Sequence, residues 1–271
     1  VYIELNTNEL YGRNLTAGAL DVMGQYYSVA SSPHAFYNYG GLVYTGNDEK
    51  ALFDNMWQKC YAVIACCNTI IEKCDENKAG LSPVWKGSIK GEALALRAML
   101  HFDMLRLFAP APVNDDGQAY VPYVETYPDI HPESIKVTPF LDKVVRDLVK
   151  AKSLVADFDT TAAGVLASSS GKMRMSKANI LAGPSFNYGD FFAGRGYRLT
   201  YYSITALLAR VYQYAGKNED AFRCASEVVE YGKKSGTLFY QDDFAGSSVQ
   251  MPFAGLMDTL SNACLSRTWF R

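Results

Sequence analysis

Apolar positions recur at helical spacing along most of the chain, and the segments they define are separated by Pro, Gly and Asn. The pattern predicts a first helix from about Leu15 to Val29, broken by Ser31-Ser32-Pro33. A second runs from about Glu49 to Cys74 with Asp48 as N-cap, burying Leu52, Phe53, Met56, Trp57, Tyr61, Ile64, Ile70 and Ile71. Asn77, Gly80 and Pro83 end it. A third, from about Lys90 to Phe108, is apolar almost all round; Glu92, Arg97, His101, Asp103 and Arg106 are the exceptions. Such a helix is buried on several sides, so this segment and Trp57 are expected at the centre of the packing. Pro110 and Pro112 stop it, and a Tyr- and Pro-rich loop follows to about Lys136. Thr138 as N-cap and Pro139 at the first helical position open a further helix to about Val155. From 157 to 197 no helical period is seen. Helices return from about Leu199 to Tyr214 and from Asn218 to Lys233, and 236–271 is loop-rich. No pattern argues for a strand-based core, and the predicted fold class is all-α.

Composition narrows the function. The 271 residues carry 26 Lys plus Arg against 28 Asp plus Glu, a formal charge of −2, with no footprint for nucleic acid or an anionic lipid surface. The longest apolar run, Tyr61 to Cys67, is far shorter than the roughly 20 residues a bilayer demands. The chain opens on Val1 without a basic-then-apolar leader, as expected of a mature or trimmed form or of a cytoplasmic protein. Cys60, Cys67 and Cys74 repeat every seven residues, which suits buried small side chains and not zinc ligands.

No catalytic constellation, metal site or cofactor motif is found. His34, His101 and His131 are isolated, and Gly194-Arg195-Gly196 lacks the strand and lysine of a phosphate loop. The carboxylate pairs Asp115-Asp116 and Asp242-Asp243 sit in predicted solvated turns, not across a cleft as glycoside hydrolysis requires. In the apolar third helix, charges must be paired. Asp103 and Arg106, three apart, can pair directly, and Arg97 is expected to reach a carboxylate or helix-end carbonyls on a neighbour. Glu92 is read with them as architectural, and His101 as a hydrogen-bonded structural residue.

Aromatics reach 13%, with 19 Tyr, a residue suited to surfaces where a flat apolar face must also offer a hydroxyl. The segment 33–47, PHAFYNYGGLVYTGN, sets Phe36, Tyr37, Tyr39 and Tyr44 among Asn38, Asn47 and glycines. Sugars present apolar C–H faces ringed by hydroxyls, so rings beside amides are the groups a glycan site needs. Tyr37 and Tyr39, two apart in an extended loop, would point to one side, with Asn38 or Asn47 as hydroxyl partners. The segments 120–127 (Tyr120, Tyr123, Tyr127) and 186–192 (Phe186, Asn187, Tyr188, Asp190, Phe191, Phe192) are composed similarly. The competing reading of any of these rings is that it pins a loop onto the helical core.

Leu208, Ala209, Tyr212, Ala221 and Ala225 fall near tetratricopeptide-type positions, with Thr205 where Trp is usual. Three segments together resemble the SusD/RagB family of nutrient-binding outer-membrane lipoproteins. They are MWQKCYAVIACCN around Trp57 and Asn68, KGEALALRAMLHFDMLRLFAPAP from Lys90, and RLTYYSITALLARVYQYAGKNEDAFRCASEVVE from Arg198. The resemblance implies one SusD-like helical domain over 1–271, built of tetratricopeptide-like hairpins with long aromatic-rich loop insertions, as part of a longer protein. It implies non-catalytic capture of a glycan or other nutrient at the cell surface, for delivery to a SusC-like TonB-dependent transporter. The membrane would be engaged only through a lipid anchor, whose Cys this chain lacks. Two other classes stay open: a tetratricopeptide-type protein adaptor and an α-helical carbohydrate-active enzyme.

Overall fold

A computed structural model describes residues 1–29, 31–32, 34–169 and 188–235. Pro33, Phe186, Asn187, Asp242, Asp243, Cys264 and the whole of 236–271 lie outside the described residues. The described chain is predominantly helical, as the periodicity predicts. By internal packing it divides into two units, Val1–Thr69 with Val124–His131, and Ile70–Tyr123 with the chain from Pro132.

In the first unit the expected helix over 15–29 is not formed. Short turns Tyr2–Leu5 (α1) and Ala19–Met23 (α2) are connected by irregular chain, and Gly24 and Gln25 end α2, Gln25 in the left-handed region at φ 60°. A further turn, Tyr37–Gly40 (α3), precedes the long helix Asn47–Glu76 (α4), whose residues up to Thr69 belong to this unit. Asp48 and Glu49 in its first turn and Lys73 in its last complement the helix dipole. Leu10, Leu15, Val22, Tyr39, Met56, Cys60, Ile64 and Cys67 are buried. The cysteine stripe is thus apolar filling, while neighbouring Cys66 is exposed. Trp57 is not central: it stands half-buried beside Tyr61, ring centroids 4.9 Å apart. Asn68 is buried and its Nδ2 donates to the carbonyls of Val124 (3.2 Å) and Thr126 (3.1 Å), holding that loop to the helix.

In the second unit the next helix starts earlier than expected, at Pro83, and runs to Phe108 (α5). Ser82 caps it by accepting from the Trp85 N–H, and Pro83 at the first position forfeits no helical hydrogen bond. All of Gly91–Leu105 is buried, including Leu96 and Phe102. Two short strands missed by the pattern, Ala119–Pro122 (β1) and Ser134–Lys136 (β2), pair antiparallel with Val121 opposite Ile135. β2 feeds directly into Val137–Asp159 (α6), so its N-cap is Lys136 and not Thr138. Pro139 still falls in the first turn, where its missing N–H costs nothing.

α5 and α6 pack along each other at close range. A Cβ on Gly87 would stand 2.7 Å from the Leu154 carbonyl oxygen, and one on Gly91 2.6 Å from a Val155 methyl. The segment 157–197, expected to be irregular, holds two α-helices in its described part, Ala162–Ser169 (α7) and Gly189–Ala193 (α8), and a 3-10 turn, Arg195–Tyr197. Tyr201–Tyr214 (α9), capped by Thr200, and Asn218–Ser235 (α10) form a hairpin across Ala215–Lys217, and α9 also packs on α6 and α5.

The charges buried in α5 are paired. Arg97 donates to Asp147 Oδ2 from Nε at 2.8 Å and lies within 2.6 Å through Nη2. Asp147 also accepts from the Tyr123 hydroxyl (2.7 Å) and from Arg146. Asp103 meets Arg106 at 3.4 Å. Glu92 accepts from Arg195, which also grips Asp159 by two bonds of 2.7 Å. His101 is fully buried, stacked on Tyr123 at 4.0 Å, with Nδ1 2.9 Å from the Arg97 carbonyl. Burial pushes its pKa down to about 3.

Candidate functional site

The predicted aromatic segment is a helical turn, not an extended strand, and this separates its rings. Residues two apart on a helix lie on opposite sides, whereas on a strand they share one. Tyr39 therefore turns inward and is 2% exposed, while Tyr37 turns outward and is 44% exposed. The Tyr39 ring packs against Phe36, Tyr44 and Phe53, and its hydroxyl donates to the Asp48 carbonyl at 3.5 Å. Burial, with the charges of Glu49 and Asp48, pushes the Tyr39 phenol up to about 12. Tyr39 is thus the anchor of this segment, with its ring covered by protein.

Tyr44 is half-buried, edge-on to Phe53 at 5.5 Å, and burial raises its phenol too. Phe36 is half-buried with the Arg13 guanidinium 5.4 Å from its ring centre. Asn47 is the first residue of α4, exposed, and lines neither cleft described below. Asn38 reaches across to α4, where its Nδ2 donates to Glu49 Oε1 at 2.8 Å.

Two open clefts adjoin in the first unit. The larger, about 460 Å³, is lined by Tyr27, Ser28, Tyr37, Asn38 and the Gly40-Gly41 backbone, with Val22 and Val43 among its apolar walls. The smaller, about 390 Å³, lies between Tyr27–Val29 and His34 with Phe36. Val22, Tyr27, Ser28 and Val29 border both. Of the six residues expected from the sequence, Tyr37, Asn38 and Phe36 reach a cleft. Tyr39 and Tyr44 support them from below.

Tyr27, Ser28 and Val29, which the periodicity places inside the first predicted helix, instead form part of the walls of both clefts. The run Gly24-Gln25 before them, followed by Ser31-Ser32, was the available signal, because glycine and paired serines favour turns over helix interiors.

In the other aromatic segments Tyr120, Tyr123, Tyr188, Phe191 and Phe192 bond to or pack against other residues, whereas Tyr127 is exposed, and Phe186 and Asn187 lie outside the described residues. Tyr120 donates to Asp116 at 2.6 Å within a surface turn, and Tyr123 is buried against His101 and Phe140. Tyr188, Phe191 and Phe192 pack with Trp85 and Phe158, and the Arg198 guanidinium lies 3.9 Å above Phe191. Among the described residues, no group of three or more His, Cys, Asp or Glu side chains is placed to hold a metal ion. Nor, among them, is any helix long and apolar enough to cross a membrane.

A helical scaffold carrying an open, uncharged aromatic cleft has the form of a ligand-binding protein. Comparison with known proteins agrees on the scaffold. The SusD-like profile described as starch-binding and associating with the outer membrane matches residues 15–170, more than half of the chain and the whole of both clefts. This chain belongs to the SusD-like family. Solved structures share its fold. One is a putative sugar binding protein from Bacteroides vulgatus, 23% identical over 86% of this chain and 44% of that one, with a TM-score of 0.58. Another is a SusD superfamily protein from Bacteroides thetaiotaomicron, 21% identical over 90% and 47%, with a TM-score of 0.60. A third, a SusD-like carbohydrate binding protein from Bacteroides vulgatus, is 18% identical over 88% and 43%, with a TM-score of 0.61. The chain spans less than half the length of these three structures. No curated protein matches the sequence.

Proposed function

We propose that the protein is a non-catalytic, cell-surface glycan-binding protein whose first unit supplies part of the sugar platform. The observation that carries this reading is the exposed Tyr37 ring standing beside Asn38 and Ser28 in an open cleft, inside the segment that matches the family profile. Such a wall can stack on the C–H face of a sugar while an amide and a hydroxyl meet its OH groups. Starch-type α-glucans are the first ligands to test, since the family description names starch. Membership also supports a place at the outer membrane and handover to a TonB-dependent transporter of the SusC type. Handover requires reversible binding and no chemistry at the sugar.

The test is calorimetric titration with a panel of soluble glycans, maltooligosaccharides first, alongside product analysis. Tyr37→Ala should weaken binding by about 1–3 kcal/mol, taking stacking of a nucleobase on an aromatic ring as the nearest analogue. It should leave the melting temperature unchanged, because the ring is largely solvated already. Tyr39→Ala should instead destabilise the chain by about 3–5 kcal/mol, the range for emptying a buried aromatic site. Unaltered affinity in Tyr37→Ala removes this cleft from the site, and sustained product release overturns the non-catalytic reading.

A further inference from the structure

Glu49 lines neither cleft, yet it touches the polar group that does. Its side chain folds back over the start of α4 and is buried, 5% exposed. Its Oε1 accepts from Asn38 Nδ2 at 2.8 Å, and its Oε2 occupies the space a side chain at Gly46 would need: a Cβ there would stand 2.0 Å from it. A carboxylate oxygen only accepts, whereas a carboxamide has one donating and one accepting end. The partner at Glu49 therefore has to be the nitrogen of Asn38. The Asn38 Oδ1 is left on the other branch of the amide, without a partner among the described residues. Asn38 lines the larger cleft. An exposed Asn with no such neighbour would turn either end toward the cleft at similar cost.

We infer that Glu49 is a positioning residue that sets the polarity of the larger cleft, holding Asn38 so that Oδ1 is offered as an acceptor to a ligand hydroxyl. The inference rests on the reading of this cleft as a glycan site. The backbone of α3 has separate ties, since the Tyr39 ring and hydroxyl and the Val43 N–H bond to the Asn38 carbonyl (2.8 Å) all hold it without Glu49. A change at Glu49 therefore alters the orientation of one amide and leaves the cleft wall in place. Gln at position 49 can either accept from Asn38 Nδ2 or donate to Asn38 Oδ1, so both orientations become available. Ala at position 46 displaces Oε2, the far end of a flexible side chain, and breaks the same bond by a different route.

The experiment titrates the wild-type chain, Glu49→Gln, Gly46→Ala and Tyr37→Ala with maltoheptaose and with its fully O-methylated form, which has no hydroxyl to donate. Thermal melting is recorded on each. Glu49→Gln and Gly46→Ala should weaken maltoheptaose binding by about twofold, since the freed amide presents its accepting end to the cleft only about half the time. Binding of the methylated glycan should not change, so the preference for free hydroxyls narrows by the same factor. A merely structural role for Glu49 predicts that both glycans weaken together and the ratio holds, which overturns the inference. If Tyr37→Ala weakens binding but neither Glu49→Gln nor Gly46→Ala moves the ratio, the inference fails and the glycan site stands. If the wild-type chain does not bind maltoheptaose, or Tyr37→Ala binds it unchanged, the reading of the cleft fails and the inference with it.

Discussion

Replacing Arg195 with Met withdraws the cation from between two buried carboxylates while keeping most of the side-chain volume. Arg195 is fully buried and donates to groups on three described residues. Two hydrogen bonds go to Asp159 (2.7 Å each), one to Glu92 (2.5 Å) and one to the Leu199 carbonyl (2.8 Å). Summed at about 1.5–3 kcal/mol per charged hydrogen bond, these would reach roughly 6–12 kcal/mol, but bonds to one group do not add and Met regains apolar burial. Part of the charge also stays compensated. Asp159 keeps the Tyr201 N–H at 2.8 Å and Glu92 keeps Arg198 at 3.4 Å. The expected loss is therefore about 3–5 kcal/mol, the usual cost of stranding a buried ion-pair partner. Arg195→Lys should recover only part of it, since an ammonium cannot grip Asp159 with two parallel bonds. The triple change Arg195→Met, Glu92→Met, Asp159→Leu should recover only part of it: both stranded carboxylates are gone, but Arg198 loses Glu92 and the Tyr201 N–H loses Asp159. Urea denaturation followed by circular dichroism gives midpoint and slope for each variant. A loss below about 1 kcal/mol for Arg195→Met, at unchanged slope, would refute the claim that this network braces α5 to the end of α6 and the start of α9.

Gly91→Ala should destabilise by about 1–3 kcal/mol through overpacking, since its Cβ would meet a Val155 methyl at 2.6 Å and the Ala151 carbonyl at 3.0 Å; a denaturation midpoint equal to wild type would show the α5–α6 crossing to be looser. His101 gives a pH dependence with a definite sign. Its pKa falls from 6.5 unfolded to about 3 folded, so between these values the unfolded chain binds the extra proton and stability drops as pH is lowered. The slope contributed is about 1.4 kcal/mol per pH unit below pH 6.5. His101→Gln should remove that slope from stability measured between pH 6.5 and 4, whatever its effect at neutral pH.

The long helices were legible because each residue in them answers to neighbours three and four positions away. The periodicity of Leu52 to Ile71, and the near-continuous apolar surface of Lys90 to Phe108, locate α4 and the buried part of α5 without knowledge of any partner. The same local logic supplied the Asp103–Arg106 pair and the need of Arg97 for a carboxylate or helix-end carbonyls on a neighbour, which Asp147 meets. It places the start of α5 too late, because Pro83 reads as the end of the preceding helix although Ser82-Pro83 also carries a capping signal.

What the sequence determined by itself was the class of fold, the family resemblance and the kind of residue a ligand would meet. Which of those residues stand open beside a cleft was decided by tertiary structure. Four residues, Tyr37–Gly40, are too few for propensity to choose between helix and strand. Here the choice follows from burying Tyr39 against Phe53, a contact made with α4. That choice turns Tyr37 outward and Tyr39 inward, so it distinguishes an exposed ring lining a cleft from a ring in the core. Arg195 shows the same limit over a longer span. It stands 103 residues from Glu92 and 36 from Asp159, and only the packing of α5 and α6 brings the two carboxylates together around it. Periodicity reports the face a side chain takes within its own element. The partner it finds there depends on chain that is distant in sequence, and a local pattern carries no record of it.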